Sequence, residues 1–205
     1  MPKVPKSLPK KLSKQEAEHL LEVIQNYPYR YPYLRHRNYA MFQMFILTGL
    51  RKKELLELRM TDVDLDNLTL FVRRGKGDKD RIVPITMTLS KSLHRYLTER
   101  RRLKKTCPEF FASLNKNAGL SCEGVKLIVA QLKSASGIAF PLHNLRHTFA
   151  TLMLEGGCDI YSLSKMMGHS DLKTTTIYLS ATAEHLRAQI GKHPLDKTLT
   201  CSQSS

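Results

Sequence analysis

The chain has 205 residues, and 33 lysines and arginines against 18 aspartates and glutamates leave it with a net charge of +15. With 41% apolar residues it can bury a real core, which excludes general disorder, and the charge excess points to a polyanion, nucleic acid ahead of an acidic membrane. The longest apolar run, from Ala40 to Leu50, is broken by Gln43, Thr48 and Gly49 and cannot span a bilayer; no signal-peptide segment follows the basic start, and the cysteines, with no CxxC pair, suggest neither zinc module nor disulfide framework.

Residues 1–14 carry five lysines, three prolines and no acid, which reads either as a mobile basic arm or as a plain solvated tail. Ser13 to Glu16 forms a capping-box pattern that opens a helix running to about Gln25. Tyr27 to Tyr39 interleaves five tyrosines with Arg30, Arg35, His36 and Arg37. Such a segment suits stacking on nucleic acid, but a proline-broken loop that packs its rings on the core is the favoured reading. Tyr39 to Leu47 is helical and almost wholly apolar, hence buried. A second helix follows Thr48-Gly49, from roughly Arg51 to Leu58. The period then changes: Leu68 to Val72 and Arg81 to Ile85 are short strand patterns flanking the turn Gly75-Lys76-Gly77-Asp78, a hairpin with a lysine near its tip. Helical patterns resume over 89–103, 123–135, 142–154, 160–167, 172–179 and 183–190, and the tail from His193 is polar. The expected architecture is α+β: one mostly helical domain over 13–190 with a small antiparallel sheet, preceded by an arm at 1–12 and followed by a tail at 191–205.

Pro141 to Ala150 holds the first chemical signal. At helical spacing Leu145, Phe149 and Leu152 form the buried stripe. His143 and Arg146 fall on another face, beside the small Ala150, where no bulky neighbour obstructs approach. The His143 to His147 spacing lacks the glutamate of a zincin motif, so no metal is expected. By itself a His–Arg pair is commonplace. Three other clusters accompany it: Thr48-Gly-Leu-Arg51-Lys-Lys-Glu54, the hairpin Gly75-Lys76-Gly77, and Gly168-His169-Ser170 with Tyr178 nine residues beyond His169.

In this order and spacing the motifs resemble those of the tyrosine recombinase (phage integrase) family, most like its Xer-type and bacteriophage or integron integrase members. The resemblance covers about residues 13–190. It implies a site-specific DNA recombinase that cleaves and rejoins strands through a 3′-phosphotyrosine, without cofactor or metal. Tyr178 would be the nucleophile. Arg51 and Arg146 would grip the non-bridging phosphate oxygens, for which a planar, permanently charged fork suits better than lysine. Lys76 would protonate the departing 5′ oxygen, His143 would serve as general base, His169 would hydrogen-bond the phosphate, and Glu54 would hold Arg51 in place. Lys52, Lys53, Arg73, Arg74, Lys79 and Arg81 are expected on the DNA backbone. Arg95, Arg100, Arg101, Arg102, Lys104 and Lys105 form a similar but more scattered group.

Double-stranded DNA is the implied partner, with a homo-tetramer assembled on it and an accessory DNA-binding protein as a further candidate. The expected setting is the cytoplasm, at the nucleoid, with the chain encoded by a bacterium or by a phage or mobile element. Family members carry a helical core-binding domain ahead of the catalytic one, whereas only about 12 residues precede the first helix here, so a short member and a fragment are both open. Two other activities fit the same motifs: a non-cutting regulator at recombination sites, and DNA relaxation like that of type IB topoisomerases.

Overall fold

The structure is a computed structural model that describes residues 11–73 and 80–168. Helix α1 (Lys14–Asn26) begins as its capping box requires: the Ser13 hydroxyl accepts the Glu16 N–H at 3.1 Å, and the Glu16 carboxylate accepts the Ser13 N–H at 2.7 Å. Its buried residues, Ala17, Leu20 and Ile24, lie on one stripe and pack on α2. The folded body starts slightly earlier than expected. Leu12 is buried and gives its N–H to the Thr148 hydroxyl at 2.9 Å, while Lys11 pairs with Glu155, so these two residues of the expected arm are tied down.

Helix α2 (Pro32–Thr48) is the central element, flanked by α1, α4 and α6 and buried all round in its second half. Its start corrects the expected loop through Tyr39. Proline lacks only an N–H that the first helical turn would leave unpaired, and its ring presets the helical φ, so Pro32 opens the helix instead of breaking it. The aromatic segment does pack inward. Tyr33 is fully buried with its hydroxyl donating to the Ala112 carbonyl at 2.7 Å, and Arg37 donates to the same carbonyl and to Asn38. Gly49 ends α2 in the left-handed conformation, φ +63°.

After the short α3 (Lys52–Glu57) and a 3-10 turn at Met60–Asp62 come three antiparallel strands in the order β1 (Val63–Asp64), β2 (Thr69–Val72), β3 (Arg81–Pro84). Leu70 pairs with Val83 on the buried face, Phe71 with Ile82 on the exposed one, the alternation of a one-sided sheet. The expected hairpin is present, extended by a third strand; its tip at 74–79, with Lys76, lies outside the described residues. Helix α4 (Met87–Arg102) is capped by Thr86 and buries Leu89, Leu93, Tyr96 and Arg100. In the connection that follows, Phe110 and Phe111 are buried and the Tyr96 hydroxyl bridges the Phe110 carbonyl and the Ala112 N–H. Helix α5 (Cys122–Ser136) runs from Ser121 to a left-handed Gly137.

Two apolar clusters result. The main one joins α1 to α5 with the sheet and Leu145; the second gathers Phe149, Ala150 and Leu154 of α6 (His143–Glu155) with Leu163 and Met167 of α7 (Ile160–Met167). Two expectations for α6 change. Ala150 is covered by α7 and does not share an open face with His143 and Arg146, and Leu152 is half-buried while Leu154 takes the core position. The helical patterns at 172–179 and 183–190 lie outside the described residues. Among the described residues no helix is long and apolar enough to cross a membrane.

Candidate active site

The site forms where the end of α2 meets the start of α6. Left-handed Gly49 turns the chain so that Leu50 goes into the core and Arg51 comes out as the N-cap of α3. Glu54, one turn on, reaches back: its carboxylate accepts the Arg51 N–H at 2.7 Å and Arg51 Nη1 at 2.7 Å. Position three of a helix is where a carboxylate can bond the cap residue, which makes this local pairing legible in the sequence.

Glu54 is buried, and a second arginine makes that tolerable. Arg81, at the start of β3, places Nη1 and Nη2 at 2.9 Å from the two carboxylate oxygens, a parallel fork. Burial alone would push the Glu54 carboxyl up, but the hydrogen bonds from Arg81 and Arg51 outweigh it and hold the group at about 2, ionised at any physiological pH. Arg81 therefore departs from the expectation that it lies on a DNA backbone: only 8% of its side chain is exposed, and its Nε donates to the Met166 carbonyl at 2.8 Å.

Arg146 reaches the same place from α6. Its Nη1 donates to the Gly49 carbonyl and its Nη2 to the Met167 carbonyl, both at 2.6 Å. These carbonyls belong to the last turn of α2 and of α7, the negative ends of two helices, and they anchor a cation without neutralising it. The approach is tight, since a Cβ on Gly49 would meet Phe149 Cδ1 at 2.3 Å. Arg51, Lys52, His143 and Arg146 line one pocket of about 320 Å³, floored by Leu50 and Leu142. His143 stands exposed at the first turn of α6, its ring 5.8 Å from and perpendicular to that of His147. Burial, then the charges of His143 and Arg146, pushes the His147 imidazole below its ordinary value, toward the neutral form.

The structure thus brings together Arg51, His143, Arg146 and Glu54. Lys76, His169 and Tyr178 lie outside the described residues, although Gly168, the last of them, directly follows α7. A larger cleft of about 830 Å³ behind α3 is lined by Glu54, Glu57, Asp62, Asp80 and Glu109 against Lys53, Arg59 and Arg73, more acids than bases, which disfavours a phosphate there.

Of the other expected backbone contacts, Lys52 and Lys53 are exposed, Arg73 is held by Asp62 at 2.6 Å, and Arg74 and Lys79 lie outside the described residues. Arg100 corrects the scattered basic group: it is buried, donating to the carbonyls of Lys105, Cys107 and Glu109. Lys105 is likewise committed, to the carbonyls of Leu114 and Lys116. The residues that the sequence reading missed, Arg81 as a buried support and the carbonyls of Gly49, Met166 and Met167, leave no residue-type signal except the glycines that permit the close approach.

Comparison with known proteins matches the model of the phage integrase family to residues 10–185. The chain is 38% identical over 200 residues to tyrosine recombinase XerA of Pyrococcus horikoshii, covering 97% of this chain and 66% of that protein. Among solved structures, a XerA recombinase superposes with a TM-score of 0.76 at 33% identity, over 93% of this chain and 67% of that one. The XerH site-specific recombinase bound to palindromic difH substrate gives 0.75 at 28% identity, over 90% and 53%. The chain spans just under two thirds of the length of its curated XerA relatives. With the family model matched over most of its length and its fold shared with a solved recombinase, this chain belongs to the phage integrase family.

Proposed function

We propose that the chain is the catalytic domain of a site-specific DNA recombinase that cleaves and rejoins duplex DNA through a 3′-phosphotyrosine. The observation that supports this most is the pairing of Arg51 and Arg146 in one pocket with His143, both guanidiniums held by a carboxylate or backbone carbonyls.

Phosphoryl transfer is mostly positioning and electrostatics. A phosphate seated in the pocket meets two fixed forks, which compensate the charge that builds on its non-bridging oxygens and stand where other enzymes use a metal ion. Tyr178 loses its proton to His143 as its oxygen attacks phosphorus. The bond to the 5′ oxygen breaks, and that oxygen takes a proton from Lys76. His169 hydrogen-bonds the phosphate. The products are a 3′-phosphotyrosine and a free 5′ hydroxyl, and because the covalent link conserves the phosphodiester energy, a second 5′ hydroxyl can reverse the step without ATP. Duplex DNA is the partner, the working form is a homo-tetramer on two DNA sites with an accessory DNA-binding protein as a further partner, and the reaction runs in the cytoplasm at the nucleoid.

The test is incubation with nicked duplexes that trap the covalent intermediate, followed by denaturing gels. The wild-type chain should form a protein–DNA adduct in the presence of EDTA, and Tyr178→Phe should form none while still binding duplex. Duplex binding with no adduct from the wild type makes the chain a non-cutting binder and overturns the proposal. Loss of cleavage on chelation, restored by magnesium, overturns the metal-free mechanism.

A further inference from the structure

Among the described residues Arg81 links the three segments that lead to the candidate reactive groups. It begins β3, directly after the hairpin tip that bears Lys76. It forks onto Glu54, which holds Arg51. Its Nε donates to the Met166 carbonyl in the last turn of α7, and its guanidinium lies so close to Gly168 that a Cβ there would stand 2.9 Å from Nη1. Gly168, at φ +64°, is the residue before His169.

The fork has a consequence for Arg51. A carboxylate left to a single arginine draws both ends of its guanidinium into a bidentate pair. Here Arg81 occupies both oxygens. With Oε2 also accepting the Arg51 N–H, Arg51 gives Glu54 only one guanidinium nitrogen, Nη1, and Nε and Nη2 have no partner among the described residues.

We propose that Arg81 is a positioning residue: a buried tie that turns Arg51 toward the phosphate and sets it in register with the chain entering His169, without touching DNA itself. The inference rests on the recombinase reading for its effect on rate, but the tie is a property of the protein alone. Lysine keeps the charge and cannot fork, so Arg81→Lys separates the two roles.

Three measurements decide. Arginine side-chain ¹⁵N–¹H spectra of the free 205-residue chain should show the Arg51 guanidinium rotationally restrained with a single anchored nitrogen, and that signature should change in Arg81→Lys and in Arg81→Met. Thermal unfolding should show Arg81→Lys still folding in one cooperative transition, at a lower temperature than the wild type but above the assay temperature. Single-turnover adduct formation by Arg81→Lys should fall about 10²-fold, the scale of a 1 Å misplacement, with duplex affinity kept within about twofold. An unchanged Arg51 signature, a wild-type cleavage rate in Arg81→Lys, or a loss of affinity that matches the loss of rate would each overturn the proposal. If the wild type forms no adduct, it is the recombinase reading that fails, and the spectra still decide the tie.

Discussion

Replacing Gly49 by alanine tests the joint between α2 and α6. Gly49 sits at φ +63°, and a Cβ there would stand 2.3 Å from Cδ1 of Phe149, deep in overlap. Left-handed backbone costs a residue with a Cβ about 1–2 kcal/mol. Phe149 is 3% exposed and packed in one cluster with Ala150, Leu154, Leu163 and Met167, so it yields only by overpacking its neighbours, about 1–3 kcal/mol more. The total is about 2–5 kcal/mol. At 2–4 °C per kcal/mol for a chain of this size, the melting temperature should drop by roughly 4–20 °C. Gly137→Ala is the control: φ is +69° but nothing lies within 4 Å of its Cβ, so it bears only the backbone cost. Calorimetry or urea unfolding of the two variants isolates the Phe149 overlap as their difference. Because the Gly49 carbonyl accepts from Arg146 and Phe149 shares its helix, Gly49→Ala should also lose strand cleavage at temperatures where it remains folded, while Gly137→Ala keeps it. Equal destabilisation of the two variants would refute the close approach, and full cleavage by Gly49→Ala would refute its link to Arg146.

Glu54 makes stability depend on acid: its carboxyl is held at about 2 against an ordinary 4.5, so its contribution, on the order of 3 kcal/mol, is complete above pH 4.5 and lost as pH falls toward 2. Urea unfolding of the wild type should weaken across that window, with a flatter profile for Glu54→Gln; parallel profiles would sink the assignment. Arg100→Met should cost about 3 kcal/mol by orphaning the carbonyls of Lys105, Cys107 and Glu109, whereas exposed Arg101→Met should stay within about 0.5 kcal/mol. A similar small effect from both would show that Arg100 is not a structural clamp. Thr148→Val keeps shape but strips the acceptor from the buried Leu12 N–H, at a cost of about 1–3 kcal/mol. Hydrogen exchange at the Leu12 amide should accelerate, and unchanged protection would mean that the contact does not hold the chain's entry to α1.

Local rules made much of this molecule readable from its sequence. A capping box joins residues three apart, so the Ser13–Glu16 start of α1 and the Arg51–Glu54 pair were both visible. Strand alternation and turn glycines marked the hairpin, and motif order with the charge excess identified the family. The Tyr27 to Tyr39 segment was harder, because a proline signals a break or a beginning with the same residue, and only the packing of Tyr33 under Ala112 selects the beginning. Arginines were the least legible. Arg81, Arg100 and Arg101 look alike in a basic stretch, yet two are buried supports and one is exposed. What separates them is which acceptors stand opposite. Arg81 meets Glu54 across 27 residues and the Met166 carbonyl across 85, and Arg146 meets the Gly49 carbonyl across 97. Every residue carries a backbone carbonyl, so no residue type marks which one a guanidinium will find. Residue types and spacing determined which chemistry this chain can hold, and the packing of α6 on α2 and of α7 on α6 and β3 decided which of its arginines open into the shared pocket and which stay inside to hold the others in place.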